Sequence, residues 1–204
     1  MILVHHLNNS RSQRDPKTML APPALREVHP LGKSPVLADG EVTLAESGAI
    51  IEYLVERHGN GRLRPPLGTP ERVRYTYWLH FAEGSAMPPL LLKLVFDRIE
   101  KGPMPFFVRP IARGIAGRIK QGFIEPNIAR QLDYMEAELE QRPWFAGPDF
   151  SAADVQMSFP VEAAAVRGGL NASRPRLMDW LARIHAREPY RRALERGGEF
   201  SILT

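Results

Sequence analysis

The chain contains no cysteine, which excludes a disulfide framework, a thiolate metal site, a CxxC redox centre and a cysteine nucleophile. That absence agrees with a reducing compartment without establishing one. No uncharged run approaches the ~18 residues of a membrane span. The apolar opening Met1-Ile2-Leu3-Val4 gives way at once to polar Asn8, Asn9 and Ser10, too early for a signal-peptide core. A cytoplasmic protein with no membrane partner is therefore expected. Neither charge sign dominates, since 27 Lys and Arg face 23 Asp and Glu. The small basic excess is scattered, and Glu188 and Glu195 interrupt the Arg183, Arg187, Arg191 and Arg192 run, so it reads as a solvated helix face. Nucleic acid is not an expected partner, and the basicity suits small anionic ligands better. No metal is expected either, because His5 and His6 alternate faces on a strand and the other histidines lie far apart. What is present is an ordinary globular mixture, 44% hydrophobic and 25% charged, so a core held by packing alone is expected.

Two regimes divide the chain. Up to His58 short apolar runs are punctuated by Pro and Gly, and beyond Thr69 long stretches carry helical spacing. The Gly- and Pro-rich residues 59–69 cannot continue a helix and read as a linker, giving expected units at 1–58 and 70–204. In the first unit Ile2 to Leu7 reads as a buried strand. Ser34–Leu37 and Glu41–Leu44 flank an Asp39-Gly40 turn as a hairpin. Glu46 to Arg57 then reads as a helix with Gly59 at its C-cap position.

The second unit reads as all helix. Thr69 is an N-cap and Pro70 a first-position proline for a helix to about Ala86, which Pro88-Pro89 kinks or ends. Gly102-Pro103-Met104-Pro105 breaks the pattern before a second long helix from about Ile111 to Glu140. Ser151 and Asp154 form a capping box, with Phe150 and Val155 placed for a hydrophobic staple. That box is structural and carries no catalytic reading.

Two pieces of the first unit, His29-Pro30-Leu31-Gly32-Lys33-Ser34-Pro35-Val36-Leu37 and Leu44-Ala45-Glu46-Ser47-Gly48-Ala49-Ile50, resemble the glutathione-binding half of the glutathione S-transferase superfamily. His6-Leu7-Asn8-Asn9-Ser10-Arg11-Ser12 resembles the end of its first strand and the catalytic loop. The resemblance covers nearly the whole chain and implies a thioredoxin-like α/β N-terminal domain followed by an all-helical C-terminal domain. It also implies that Ser34 pairs the peptide backbone of glutathione beside a cis Pro35. It implies further that Ser47 and its amide hold the γ-glutamyl carboxylate, Glu46 the ammonium and Lys33 the glycyl carboxylate. The physics agrees, because an anion is favoured where a helix start offers free donors and the positive dipole end.

Activating a thiol whose ordinary pKa is about 8.5 by two units takes about 2.7 kcal/mol of selective thiolate stabilisation. The first tyrosine is Tyr53 and cysteine is absent, so tyrosine-type and cysteine-type sites are excluded. Ser10 is the leading candidate to contact the thiol, with Asn9 next and Ser12 third. The resemblance then implies conjugation to, or reduction of, a small hydrophobic electrophile or peroxide, with glutathione as co-substrate, no metal, and a homodimer. Met87, Leu90, Leu91, Phe106 and Phe107 are the candidate lining of the electrophile pocket. A non-catalytic binding or regulatory protein of the same fold is the alternative.

One departure stands out. After Arg14 the family has a further helix and strand, and a parallel crossover needs about a dozen residues or more, yet here Arg14 runs straight into Asp15-Pro16. Either the chain lacks this unit or a stretch is omitted. The second is expected, because losing the helix exposes a large apolar face.

Overall fold

The computed structural model describes residues 2–5, 15 and 20–197. Strand β1 (Ile2–His5) pairs antiparallel with β2 (Val36–Asp39), and β2 pairs antiparallel with β3 (Val42–Ala45). Gly40 takes the positive φ of 62° that the β2–β3 turn requires. Among the described residues the sheet is three-stranded in the order β1-β2-β3, with no parallel pair. A short helix that the sequence pattern did not announce, α1 (Ala24–Val28), follows Pro22-Pro23.

Helix α2 (Ser47–His58) closes this half of the chain. It ends at Gly59, whose amide reaches the Val55 carbonyl at 3.1 Å. Gly59 has ordinary helical φ, so the need for glycine is one of space: a Cβ there would lie 2.2 Å from the Val55 oxygen. Asp39 ties the sheet to α2, accepting from the Tyr53 hydroxyl at 3.0 Å and meeting His58 Nε2 at 2.9 Å. These contacts, the His58 hydrogen bond foremost, hold the Asp39 carboxyl below its ordinary range. A lowered folded-state pKa adds stability above the unfolded Asp pKa and loses it as pH falls through the folded value. Asp39→Asn should therefore lower the melting temperature at neutral pH, and the difference from the natural protein should close as the pH falls through the lowered folded-state value. A gap that persists in acid would show that the contact is not electrostatic.

The second half is helical: α3 (Pro70–Phe81), α4 (Met87–Lys101), α5 (Arg109–Ile119), α6 (Glu125–Gln141), α7 (Ala152–Ala163), α8 (Pro175–Ala186) and α9 (Glu188–Gly197). Thr69 caps α3, its hydroxyl accepting from the Arg72 amide at 3.2 Å. Pro88-Pro89 leave no gap in the helical run but follow a local widening of it. A wide π-type turn at Ala82–Ala86 links α3 to α4, placing both prolines in the first turn of α4, where a missing amide leaves little unsatisfied. Pro89 cannot donate to the carbonyl four residues back, and that carbonyl, of Ser85, accepts instead from Gln131 Nε2 at 2.8 Å. The stretch expected as one helix from Ile111 to Glu140 is likewise α5 and α6 joined through a π turn at Lys120–Ile124.

The core lies among the helices, where Trp78, Ile128, Leu132, Met157, Leu177 and Trp180 are almost wholly buried, with Val55 of α2 added from the first half. Asp154 sits inside it. The capping box with Ser151 is present, and the same carboxylate also accepts from the Phe145 amide at 3.0 Å and Trp180 Nε1 at 3.1 Å. Phe150 packs edge-on against Trp144 and beneath the Arg187 guanidinium, while Val155 of the expected staple is exposed.

Candidate functional site

The hairpin register builds the site. Val36 pairs with Ala45 as the last pair of the hairpin, so Ser34 and Pro35 precede β2 at the same end of the hairpin at which Glu46 and Ser47 follow β3. β1 ends at the same edge, where His5 pairs with Val36. The Ser34–Pro35 peptide bond is cis. Glu46 has φ 73° and ψ 119°, a conformation that side-chain-bearing residues rarely adopt, and it stands as the N-cap of α2 without using its side chain as a cap. The first turn of α2 has no acidic residue. Among the described residues the amides of Ser47, Gly48 and Ala49 meet no acceptor, so they are the open donors of a helix start, at the positive end of its dipole. Lys33 Nζ lies 3.8 Å from Glu46 Oε1, and both side chains are well exposed. An exposed pair of this length adds little to stability, so nothing in this contact requires Glu46 to hold its backbone strain.

A second carboxylate, missed in the sequence, faces the same quarter from the helical half. Glu83 lies on the π turn between α3 and α4, and the buried Gln156 of α7 donates to it at 2.6 Å. Burial pushes the Glu83 carboxyl up, the charge of Glu46 adds to that, and the Gln156 hydrogen bond pulls it back. Two carboxylates that repel each other beside a row of amide donors form an electrostatic pattern suited to a zwitterion, its ammonium toward the acids and its carboxylate toward the helix start. The available sequence signal was Glu83-Gly84 in mid-helix just before Pro88-Pro89, a place where regular hydrogen bonding is bound to fail.

The expected residues divide into three groups. Lys33, Ser34, Pro35, Glu46 and Ser47 come together as described. Ser10, Asn9 and Ser12 lie outside the described residues. The candidate apolar lining does not hold as one set: Leu90 is only 4% exposed and belongs to the helical core, Met87 packs against that core, and Leu91, Phe106 and Phe107 are exposed. Leu90 is corrected on this ground, because its face of α4 is taken up by Gly168 and its neighbours. A cavity of about 340 Å³ lies elsewhere, between the linker and the loop before α7, lined in part by Arg64, Pro66, Glu71 and Asp149, and includes none of the expected site residues. Among the described residues no three His, Asp or Glu side chains gather as a metal site needs.

A sheet-and-helix half that opens a helix start toward its own cis-proline edge, joined to an all-helical half, defines a thioredoxin-like domain with a helical companion. Comparisons with known proteins agree. Residues 9–64 match the family model for the glutathione S-transferase N-terminal domain, and residues 112–183 match that for the C-terminal domain. Glutathione S-transferase 3 of Schizosaccharomyces pombe is 37% identical over 181 residues, covering 80% of this chain and 74% of that protein. Glutathione S-transferase 1 of Saccharomyces cerevisiae is 30% identical, covering 86% and 79%. Among solved structures, a glutathione S-transferase from Actinobacillus pleuropneumoniae superposes with a TM-score of 0.69 at 26% identity, covering 98% of this chain and 97% of that one. The chain belongs to the glutathione S-transferase superfamily.

Proposed function

We propose that this protein is a glutathione transferase whose glutathione site is the start of α2 together with the Ser34–Pro35 edge. The observation that carries the reading is the meeting of Lys33, Ser34, Glu46 and Ser47 at one end of the hairpin, beside open helix-start amides. The names of its relatives support it.

Glutathione is an extended tripeptide with two carboxylates and one ammonium. Its γ-glutamyl carboxylate takes the Ser47 hydroxyl and the first-turn amides, and its ammonium takes Glu46. The cysteinyl backbone pairs at Ser34, as a strand adds to an open edge. The glycyl carboxylate meets Lys33. Ser10, or Asn9 in its place, donates to the sulfur and stabilises the thiolate over the thiol. The thiolate then attacks an electrophilic carbon to form a thioether, its electron pair displacing a leaving group or passing into an activated double bond that takes a proton; with a peroxide it attacks one oxygen, breaking the O–O bond to release an alcohol and leave a glutathione sulfenic acid, which a second glutathione converts to the disulfide and water. The electrophile lies toward the helical half near Met87 and Leu91. The protein works in the cytoplasm as a homodimer.

Calorimetric titration with reduced glutathione, combined with thiolate absorbance in the natural protein and in Ser10→Ala, tests the reading. Binding with a thiolate signal that the substitution abolishes is the expected result. Absence of binding at millimolar glutathione would overturn it, and binding with no thiolate in the natural protein would leave a non-catalytic member of the family.

A further inference from the structure

The cavity of about 340 Å³ between the linker and the loop before α7 takes no part in the glutathione site and shares none of its residues. Its walls are pinned. Leu63 of the linker accepts from the Ala152 amide at 2.8 Å, which ties the linker to the start of α7. Leu63 itself has φ 63°, a left-handed conformation that side-chain-bearing apolar residues rarely adopt. Across the loop Trp144 and Gly147 exchange backbone hydrogen bonds at 3.2 Å. A Cβ on Gly147 would meet the Glu71 Cγ at 2.8 Å, so glycine here lets α3 bring Glu71 against the loop. Phe150 is held between Trp144, edge-on at 5.1 Å, and the Arg187 guanidinium, 3.5 Å over its ring. Three charged side chains line the cavity, and none is well paired. Glu71 and Asp149 have neither a cation nor a hydrogen-bond donor as partner among the described residues. Arg64 reaches Glu56 at 3.7 Å, and that carboxylate is 71% exposed, so the pair adds little.

We propose that this cavity binds a small zwitterion of the α-amino-acid type. Glu71 and Asp149 hold its ammonium, Arg64 holds its carboxylate, and its apolar side chain lies toward Pro66 and Phe150. Charge selects this class. A simple cation would bring its charge against Arg64, and a simple anion would bring its charge against two carboxylates. A ligand that carries both signs meets a complement at each. The planar guanidinium of Arg64 matches a carboxylate with two parallel N–H donors, a geometry that its loose contact with Glu56 does not use. Size agrees, because a cavity of a few hundred Å³ with apolar walls and a few charged groups is the usual form of a small-molecule site. Ligand bound here would bridge the linker, the first turn of α3 and the loop before α7, so it would stabilise the junction between the two halves of the chain.

The test is calorimetric titration of the full chain with L-phenylalanine and L-leucine, set beside phenylpropionate, which lacks the ammonium, and phenethylamine, which lacks the carboxylate. The natural protein is compared with Arg64→Gln, Glu71→Gln and Asp149→Asn, and folding is checked by circular dichroism. Asp149 is exposed in a loop, so its substitution keeps the fold. The expected result is binding of the amino acids, with each one-charge analogue about tenfold or more weaker, as loss of one charged hydrogen bond implies. Glu71→Gln and Asp149→Asn should weaken the amino acids and spare phenylpropionate, whereas Arg64→Gln should weaken them and spare phenethylamine. Absence of binding by both amino acids at millimolar concentration overturns the proposal. So does a one-charge analogue that binds as tightly as L-phenylalanine, or a set of substitutions that weakens every probe alike or none. Amino-acid binding that Glu46→Gln abolishes and Glu71→Gln spares would put the probe in the glutathione site and overturn it as well.

Discussion

Asp154→Ala should destabilise the protein by about 3 to 5 kcal/mol, measured as a fall in the urea midpoint at unchanged slope. The carboxylate is fully buried and serves four donors: one oxygen takes the Phe145 amide and the Trp180 indole, the other the Ser151 amide and hydroxyl. Burial pushes this carboxyl up and the four donors act against that. Removing it leaves at least three N–H groups buried without an acceptor, each costing about 1–3 kcal/mol when unpaired. The loss spreads beyond the cap of α7, because Phe145 also packs on Trp78 at 4.5 Å and Trp180 at 5.0 Å in the centre of the core. Asp154→Asn keeps one acceptor oxygen and should lose less than the alanine variant. A change below about 1 kcal/mol for Asp154→Ala would mean an ordinary surface cap, contrary to the network described.

Glu46→Gly should move stability and binding in opposite directions. Glycine, lacking a Cβ, meets φ 73° and ψ 119° at less steric cost than glutamate, so the fold should gain up to about 1 kcal/mol. Glutathione affinity should fall about tenfold or more with loss of the charged contact to the ammonium. Thermal unfolding and calorimetry read the two effects on one preparation. If the variant is no more stable, the backbone of Glu46 is relaxed in solution. If affinity is unchanged, the glutathione site does not use this carboxylate. The exposed Lys33 contact cannot account for keeping glutamate here, which is why opposite signs are expected.

Much of the architecture was legible because it rests on local rules. Asp39-Gly40 marks a turn whose positive φ only a few residues take readily, and Thr69-Pro70 and Ser151 with Asp154 mark helix starts, since capping donors and acceptors lie within three residues of one another. The site motif was legible for a similar reason. Lys33-Ser34-Pro35 and Glu46-Ser47 bracket one hairpin, so its register brings them together. The prolines at 88 and 89 marked a disturbance, the π turn at Ala82–Ala86, but its form depends on whether another element can take the freed carbonyl. Gln131 does so for Ser85 across the helical bundle.

By itself, then, the sequence determined the strand–hairpin–helix order, the helical second half, the capping residues and the placement of Lys33-Ser34-Pro35 and Glu46-Ser47 at one end of the hairpin, all set by interactions between near neighbours in the chain. Only the tertiary structure decided that Gln156 holds Glu83 within reach of the Glu46 charge, that Leu90 is core, that Asp154 gathers donors from Phe145 and Trp180, and that the isoleucines of α5 look outward. Those outcomes depend on which helix faces pack together, and helical spacing shows that a face is apolar without showing what, if anything, covers it.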